Sequence, residues 1–111
     1  MHDRPTAAEL VNAVREFLER DVFPAVEGRV QFHTRVAMNA LAMVERELDL
    51  GPSQAAQHAR DLEALGVVDE AELAAAIRSG ALDDRMDDVG DVVRRTVRAK
   101  LEVANPKYLE P

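Results

Sequence analysis

The sequence predicts an all-α fold, a compact bundle of about five helices with a long central second helix and a long C-terminal helix. Apolar residues recur at spacings of three and four along the chain, and no stretch shows the strict alternation of a half-buried strand. Aromatic residues are only 4% of the sequence, so the core must be aliphatic, which suits closely packed helices. The length of 111 residues is typical of one domain, and we expect residues 1–111 to form a single helical domain.

The first helix is predicted to begin with a capping box formed by Thr6 and Glu9. The apolar residues that follow recur at helical spacing and share one face: Leu10, Val14, Phe17 and Leu18. Pro24 has no N–H and disfavours a helical residue before it, so this helix should stop or kink at residues 21–23.

The second helix is expected from about Arg29 to Leu50, where Gly51 and Pro52 should end it. Its apolar residues occupy well over half of the helix circumference: Val30, Phe32, Val36, Ala37, Met38, Ala40, Leu41, Met43, Val44 and Leu48. A helix that is apolar on so many sides is either central in its domain or buried in an oligomer.

Two shorter helices are predicted next. The third should run from its capping residue Ser53 to Leu65, and its apolar face is weak because it consists largely of alanine. The fourth should follow Asp69, with Glu72 completing a capping box, and should stop at Gly80.

The last helix should start near Asp83 and end at Asn105-Pro106. Its predicted buried face consists of Met86, Val89, Val93, Val97, Leu101 and Ala104. Gly90 is unfavourable inside a helix by about 1 kcal/mol relative to alanine, and it predicts a close helix crossing. Tyr108 and Leu109 follow as an apolar pair, which we expect to pack back on the bundle or on a second subunit.

The composition restricts the classes of function. The formal net charge is −7 and the pI is near 4.9, which disfavours binding to a nucleic-acid backbone. The absence of cysteine rules out disulfides, a thiolate nucleophile and cysteine-based zinc sites. The sequence shows neither a secretion signal nor an apolar run long enough to span a membrane, so we expect a cytoplasmic protein that binds no membrane.

Polar residues interrupt the apolar second helix. Gln31, Arg35 and Asn39 are spaced i, i+4, i+8 and form one stripe, whereas His33 points away from that stripe by roughly 160–200°. In one interpretation Arg35 and Asn39 face water or carboxylates and His33 is a hydrogen-bonded, partly buried residue. In the other they belong to a ligand site, which would need groups from another helix.

Charged residues cluster in the last helix. Asp83, Asp87 and Asp91 share one face, and such carboxylates either bind Mg²⁺ or favour the positive end of the helix dipole. The dipole explanation is favoured because a second facing motif is missing from the sequence, and we expect neither a metal nor a cofactor. Arg94 and Arg98, at i and i+4, form either a solvated face or a binding site for a phosphate or an acidic partner.

Three segments carry a family resemblance: "PTAAELVNAVREFL" near the start, "FHTRVAMNAL" at Phe32–Leu41 and "VRAKLEVANPKYL" at Val97–Leu109. They resemble an uncharacterised bacterial domain-of-unknown-function family of short helical proteins. Its members are encoded near, or fused to, acyl-CoA dehydrogenase and aminoglycoside-phosphotransferase-like proteins. The resemblance implies an accessory role near acyl-CoA metabolism and no established activity. It places the family's motif positions at His33, Arg35, Asn39, Asn105, Pro106 and Tyr108.

The first hypothesis is therefore a non-enzymatic accessory domain associated with acyl-CoA metabolism. It would self-associate as a homodimer or dock on a neighbouring acyl-CoA dehydrogenase or phosphotransferase-like protein. The alternative is a domain that binds a small molecule, either acyl-CoA or a phosphorylated metabolite. Its candidate ligand-binding residues are His33, Arg35, Asn39, Arg94, Arg98 and Tyr108. An enzyme is the weakest interpretation, because His33 as a general base would need an orienting partner and a pocket; no catalytic residue is assigned.

Overall fold

The computed structural model describes residues 4–111, and residues 1–3 of the predicted domain lie outside this range. The described chain forms α-helices joined by turns and contains no strand. The helices are α1 (Ala7–Phe17), α2 (Gly28–Ala64), α3 (Glu70–Ser79) and α4 (Met86–Ala104). The predicted all-α fold, with a long central helix and a long C-terminal helix, is confirmed.

The chain divides into two compact units. Unit 1, residues 1–51, contains α1 and the first part of α2, and unit 2, residues 52–111, contains the rest of α2 together with α3 and α4. The single domain expected over residues 1–111 stays a prediction.

Local capping signals are confirmed in the shorter helices. The Thr6 hydroxyl accepts a hydrogen bond from the Glu9 backbone N–H at 3.1 Å, and the Glu9 carboxylate accepts one from the Thr6 N–H at 3.1 Å. Asp69 Oδ1 accepts from the Glu72 N–H at 2.8 Å and starts α3. Gly80 ends α3 with a φ of 82°, a left-handed conformation that favours glycine.

The predicted helix end at Gly51-Pro52 is wrong. α2 runs without a break from Gly28 to Ala64 and includes Pro52 in its interior, so four helices form where about five were expected. Gly51 has no positive φ and therefore does not form a left-handed cap. The physical reason is that an interior proline removes one hydrogen bond, whereas ending and restarting a helix leaves about four carbonyl and four N–H groups to be satisfied.

The connection after α1 follows the prediction made from Pro24. The α-helix ends at Phe17, a π-helical turn spans Leu18–Val22, and a 3₁₀ turn spans Phe23–Ala25. The tighter and wider turns accommodate a residue that cannot donate a backbone hydrogen bond.

The buried hydrophobic core lies entirely in unit 2. It consists of Leu62, Leu65, Val67, Leu73, Leu82, Val89 and Val92, with Ala76 and Ile77 packed against it. The predicted buried face of the last helix is wrong in rotation. Val89 is buried as expected, but Val92 is buried in place of Met86, Val93 and Val97, which are exposed. The periodicity of the sequence predicts an apolar stripe on α4. It does not predict which side of that stripe packs on α2 and α3.

Two details of the C-terminal region also differ from expectation. A Cβ on Gly90 would approach only the guanidinium of Arg94 in the same helix, so Gly90 does not mark a helix crossing. Pro106–Leu109 form a 3₁₀ turn in which Leu109 is half-buried, but Tyr108 is 74% exposed. Packing of Tyr108 back on the chain is therefore wrong, and contact with a second subunit stays a prediction.

A membrane-spanning helix needs roughly 20 predominantly apolar residues. None of the helices in residues 4–111 combines the length and the apolar character needed to cross a bilayer.

Candidate functional site

Unit 1 is an antiparallel helical hairpin. From the middle of α1, Asn12 Nδ2 donates to Glu45 Oε1 at 2.9 Å, and the Arg15 guanidinium, one turn later, forms a close hydrogen-bonded ion pair with the same carboxylate. Beyond the other end of α1, Gln31 Nε2 donates to the carbonyl oxygens of Phe23 and Val26 at 3.1 and 3.0 Å. The middle of α1 thus contacts the middle of α2, while Gln31 near the start of α2 binds the connection that follows α1, so the two helices run in opposite directions.

The hairpin contains no core of its own. Within residues 4–51 the only buried residue is Thr34, whose hydroxyl donates to the Val30 carbonyl at 2.7 Å, and every apolar side chain there is at least partly exposed. The sequence alternative that placed the second helix at the centre of its domain is therefore wrong for unit 1. The other alternative, burial in an oligomer, stays a prediction.

Six of the exposed apolar side chains form a surface that we call the hairpin face. It consists of Leu10, Val14 and Phe17 on α1 and Val30, Val44 and Leu48 on α2. At 100° per residue, the α1 members lie about 100–160° from Asn12 and Arg15 and the α2 members about 60–100° from Glu45, so both groups are directed away from the contacts between the two helices.

The α2 part of the hairpin face has the spacing of a coiled-coil seam. Val30, Thr34, Ala37, Leu41, Val44 and Leu48 alternate steps of four and three. That period keeps one stripe of a helix directed at a neighbouring helix, as in helical bundles with small crossing angles. Within this seam Thr34 is buried and Ala37 and Leu41 are half-buried, and the other three members are exposed.

Of the four polar residues predicted to interrupt the second helix, Gln31 is half-buried, and the other three are exposed. The Arg35 guanidinium carbon lies 4.7 Å from the centre of the Phe23 ring, a cation–π contact. The His33 ring packs edge-on against Phe32, with the ring centres 5.4 Å apart. Asn39 is exposed on the same part of α2. His33 is therefore not the partly buried residue that one interpretation expected.

The remaining predicted ligand-binding residues lie in unit 2. Arg94 Nη2 donates to Asp91 Oδ1 at 2.6 Å, and Arg98 lies 3.5 Å from Glu102, so both arginines form ion pairs within α4. Tyr108 is exposed. These local pairs agree with a solvated face. Convergence of the six candidates on one ligand stays a prediction.

A cleft between α3 and α4, which we call the α3–α4 cleft, was not expected from the sequence. It has a volume of about 230 Å³, and its walls are mainly apolar. The apolar part is formed by Leu73 and Ile77 from α3 and by Val92 and Val97 from α4.

Polar side chains gather at one end of this cleft. His58 Nε2 lies 3.2 Å from Glu70 Oε1, and His58 Nδ1 lies 3.4 Å from Thr96 Oγ1. The Thr96 hydroxyl donates to the Val92 carbonyl at 2.9 Å, so its proton is directed away from the histidine. This order of donors differs from a nucleophile activated by a base, in which the hydroxyl donates to the histidine. Lys100, one helical turn beyond Thr96, completes the polar end.

The residues of this polar end were missed by sequence reasoning. His58, Glu70 and Thr96 belong to three different helices and share no motif. The spacing of Thr96 and Lys100 at i and i+4 places both on one face of α4, but that signal does not identify a partner. Their proximity depends on how α2, α3 and α4 pack.

Two ion pairs shift the pKa values of their carboxyl groups. The hydrogen bond from Arg95, aided by one from Gln57, lowers the pKa of Asp61 against the opposing effect of burial. Hydrogen bonds from Arg15 and Asn12 likewise lower the pKa of Glu45. Both carboxylates are therefore held in their charged form and act as structural acceptors.

Comparison with protein families places most of the chain in a known family. A family model described as "Domain of unknown function (DUF6285)" matches residues 24–108. The matched range includes the segment Phe32–Leu41 and most of Val97–Leu109, but not the segment Pro5–Leu18 that also carried the resemblance. No curated protein and no solved structure matches the chain.

Proposed function

The chain belongs to the DUF6285 family of domains of unknown function, and from this premise we propose that it is a non-enzymatic interaction domain that self-associates through the hairpin face. The observation that carries the proposal is the missing core of unit 1, since none of its described apolar residues is buried. A helical segment of this size needs packing of its apolar stripes to be stable.

A second copy of the chain supplies that packing. Two antiparallel hairpins joined by their hairpin faces give four helices around one core, which is the arrangement of a four-helix bundle. The seam spacing in α2 favours this geometry. The same surface on both partners forms a closed two-fold interface, so no further copies are recruited.

The available area fits an interface of ordinary size. The six side chains of the hairpin face belong to residues that are between 40% (Leu48) and 55% (Phe17) exposed. They offer about 250–400 Å² of apolar surface, from about 60–120 Å² for a whole valine or leucine and about 200 Å² for phenylalanine. A standard homodimer interface buries about 800 Å² per partner, of which about two thirds is apolar. The hairpin face supplies about half to three quarters of this apolar area before Ala37 and Leu41 are counted.

The charge of the chain favours association through an apolar surface rather than through a charged one. The chain carries a net charge of −7, which opposes self-association at long range. The six members of the hairpin face carry no charge, so their burial between two copies leaves no ion unpaired.

Sedimentation and light scattering across a wide concentration range test the proposal. The wild-type chain should be a dimer, and Val44→Glu should shift it to monomer, because the dimer would bury an unpaired carboxylate. Val68→Glu is the matched control, because Val68 is an exposed valine in unit 2, and it should leave the dimer intact. A wild-type chain that stays monomeric at every concentration contradicts the proposal.

The association with acyl-CoA metabolism is a proposal supported by the family resemblance. The hairpin face could alternatively dock on a neighbouring acyl-CoA dehydrogenase or phosphotransferase-like protein. Docking would be supported in place of self-association if one chain formed a complex with such a protein, and if Val44→Glu abolished the complex while Val68→Glu retained it.

A further inference from the structure

The α3–α4 cleft has a marked polarity along its length. Glu70 begins α3 at the end where His58 and Thr96 meet, and Ile77 lies two turns away on the same helix. The short connection between α3 and α4 makes them antiparallel, so Val92 lies toward the apolar end. A ligand that fits such a cleft has a polar head and an apolar tail.

The charged residues at the polar end of the cleft determine whether an anionic or a cationic head group is favoured. The Glu70 carboxylate is engaged by His58 Nε2, and the Thr96 hydroxyl is engaged by the Val92 carbonyl. Lys100 lines the cleft and makes no ion pair with any residue in the described part of the chain.

The neighbouring arginines of α4 are already paired. Arg95 pairs with Asp61, and Arg98 pairs with Glu102. The Lys100 ammonium is therefore a charged group of the cleft without an ion-pair partner among the described residues, and it favours a ligand with an anionic head group.

The volume limits the size of the ligand. The volume of the cleft is about 230 Å³. This is smaller than the clefts that hold drug-sized molecules or nucleotides, which span about 300–1,000 Å³. A short aliphatic chain that ends in a carboxylate is smaller than those molecules.

We propose that the α3–α4 cleft binds a short-chain aliphatic monocarboxylate. The carboxylate pairs with the Lys100 ammonium, and the chain lies along Leu73, Ile77 and Val92. A phosphate monoester carries more negative charge and would be repelled more strongly than a carboxylate by the nearby Glu70, whereas an amine would be repelled by Lys100. The proposal depends on unit 2 alone, so it stands whether or not the hairpin face self-associates.

Titration of the isotope-labelled full chain with hexanoate, followed by amide NMR, tests the proposal. Hexanoate should shift the amide signals of Thr96, Val97 and Lys100 with saturation. Acetate should bind at least about tenfold more weakly, because it lacks the buried methylene groups. Hexylamine has the same tail with the opposite charge and should not saturate these shifts.

Variants test the contribution of the Lys100 charge to binding separately from that of the apolar walls. Lys100→Met keeps most of the side-chain stem and removes the charge, and it should weaken hexanoate binding by about tenfold. Lys107→Met is the matched control, because Lys107 lies outside the cleft, and it should leave the affinity unchanged. Absence of saturable shifts, equal affinity for hexylamine, or an unchanged affinity in Lys100→Met would overturn the proposal. A monomeric wild-type chain that still binds hexanoate would refute self-association without affecting this site.

Discussion

Arg95 on α4 donates two hydrogen bonds to the carboxylate of Asp61 on α2, from Nε to Oδ2 at 3.1 Å and from Nη2 to Oδ1 at 2.9 Å. Asp61 is only 7% exposed, and Gln57 Nε2 donates a third hydrogen bond to it at 3.0 Å. The two-pronged geometry is the strong form of an arginine–carboxylate pair. It joins two helices of unit 2 beside the core.

Asp61→Asn should destabilise the chain. The amide retains one acceptor oxygen, but it lacks the charge and cannot accept from both guanidinium nitrogens. Loss of a buried, charge-assisted hydrogen bond lowers the free energy of unfolding by about 1–3 kcal/mol. Urea denaturation followed by circular dichroism measures the change. Asp84→Asn makes the same change of charge at an exposed position and should be close to neutral; equal losses in both variants would contradict the role given to Asp61.

Stability should fall in acid. The pKa values of Asp61 and Glu45 are lowered in the folded chain, chiefly by hydrogen bonds from Arg95 and Arg15. A lowered folded pKa gives a stabilisation that is complete above the ordinary values of 3.8 for Asp61 and 4.5 for Glu45. It is lost as the pH falls through the lower folded values.

Urea denaturation at a series of acidic pH values measures this dependence. The Asp61→Asn variant lacks one of the two carboxyl groups and should show a shallower fall in the free energy of unfolding than the wild-type chain. An identical slope in both proteins would show that Asp61 contributes nothing to acid unfolding.

Gly90→Ala should stabilise the chain by about 0.5–1 kcal/mol, because alanine is the better helix former and loses less backbone entropy. The added Cβ would meet only the movable guanidinium of Arg94, at 3.4 Å. Gly66→Ala makes the same change at a φ of 79°, where a Cβ is strained, and should destabilise. Thermal unfolding of both variants compares the two effects. A destabilised Gly90→Ala would indicate a close contact at this face of α4.

Pro52→Ala should stabilise α2 without lengthening it. Alanine restores an N–H that can donate to the Leu48 carbonyl, and it removes a residue that is unfavourable inside a helix by about 3 kcal/mol. Circular dichroism should show a higher melting temperature and nearly unchanged helix content, because α2 already passes through this position. A marked gain in helix content would mean that Pro52 interrupts the helix. Pro106→Ala, outside any α-helix, is the control.

The sequence by itself determined the elements whose causes are local. Thr6 and Glu9 cap each other within one helical turn, and Gly80 adopts a left-handed conformation that glycine allows most readily. The helical spacing of apolar residues was sufficient for the all-α class. Neighbours a few residues apart decide these features, so the sequence displays them directly.

Tertiary structure decided what depends on distant partners. α2 continues through Pro52 because an unbroken helix leaves fewer backbone groups to be satisfied than two helix ends do, and only packing selected Val92 rather than Val93 as a buried residue of α4. Only packing brought Asp61 to Arg95, 34 residues away, and His58 to Glu70. The reason is that burial and ion pairing depend on the rotation and approach of whole helices, which the period of a single helix does not fix. The exposure of the apolar residues of unit 1 also had to be learned from the tertiary structure. The sequence pattern of an apolar stripe is the same whether the stripe is buried or exposed.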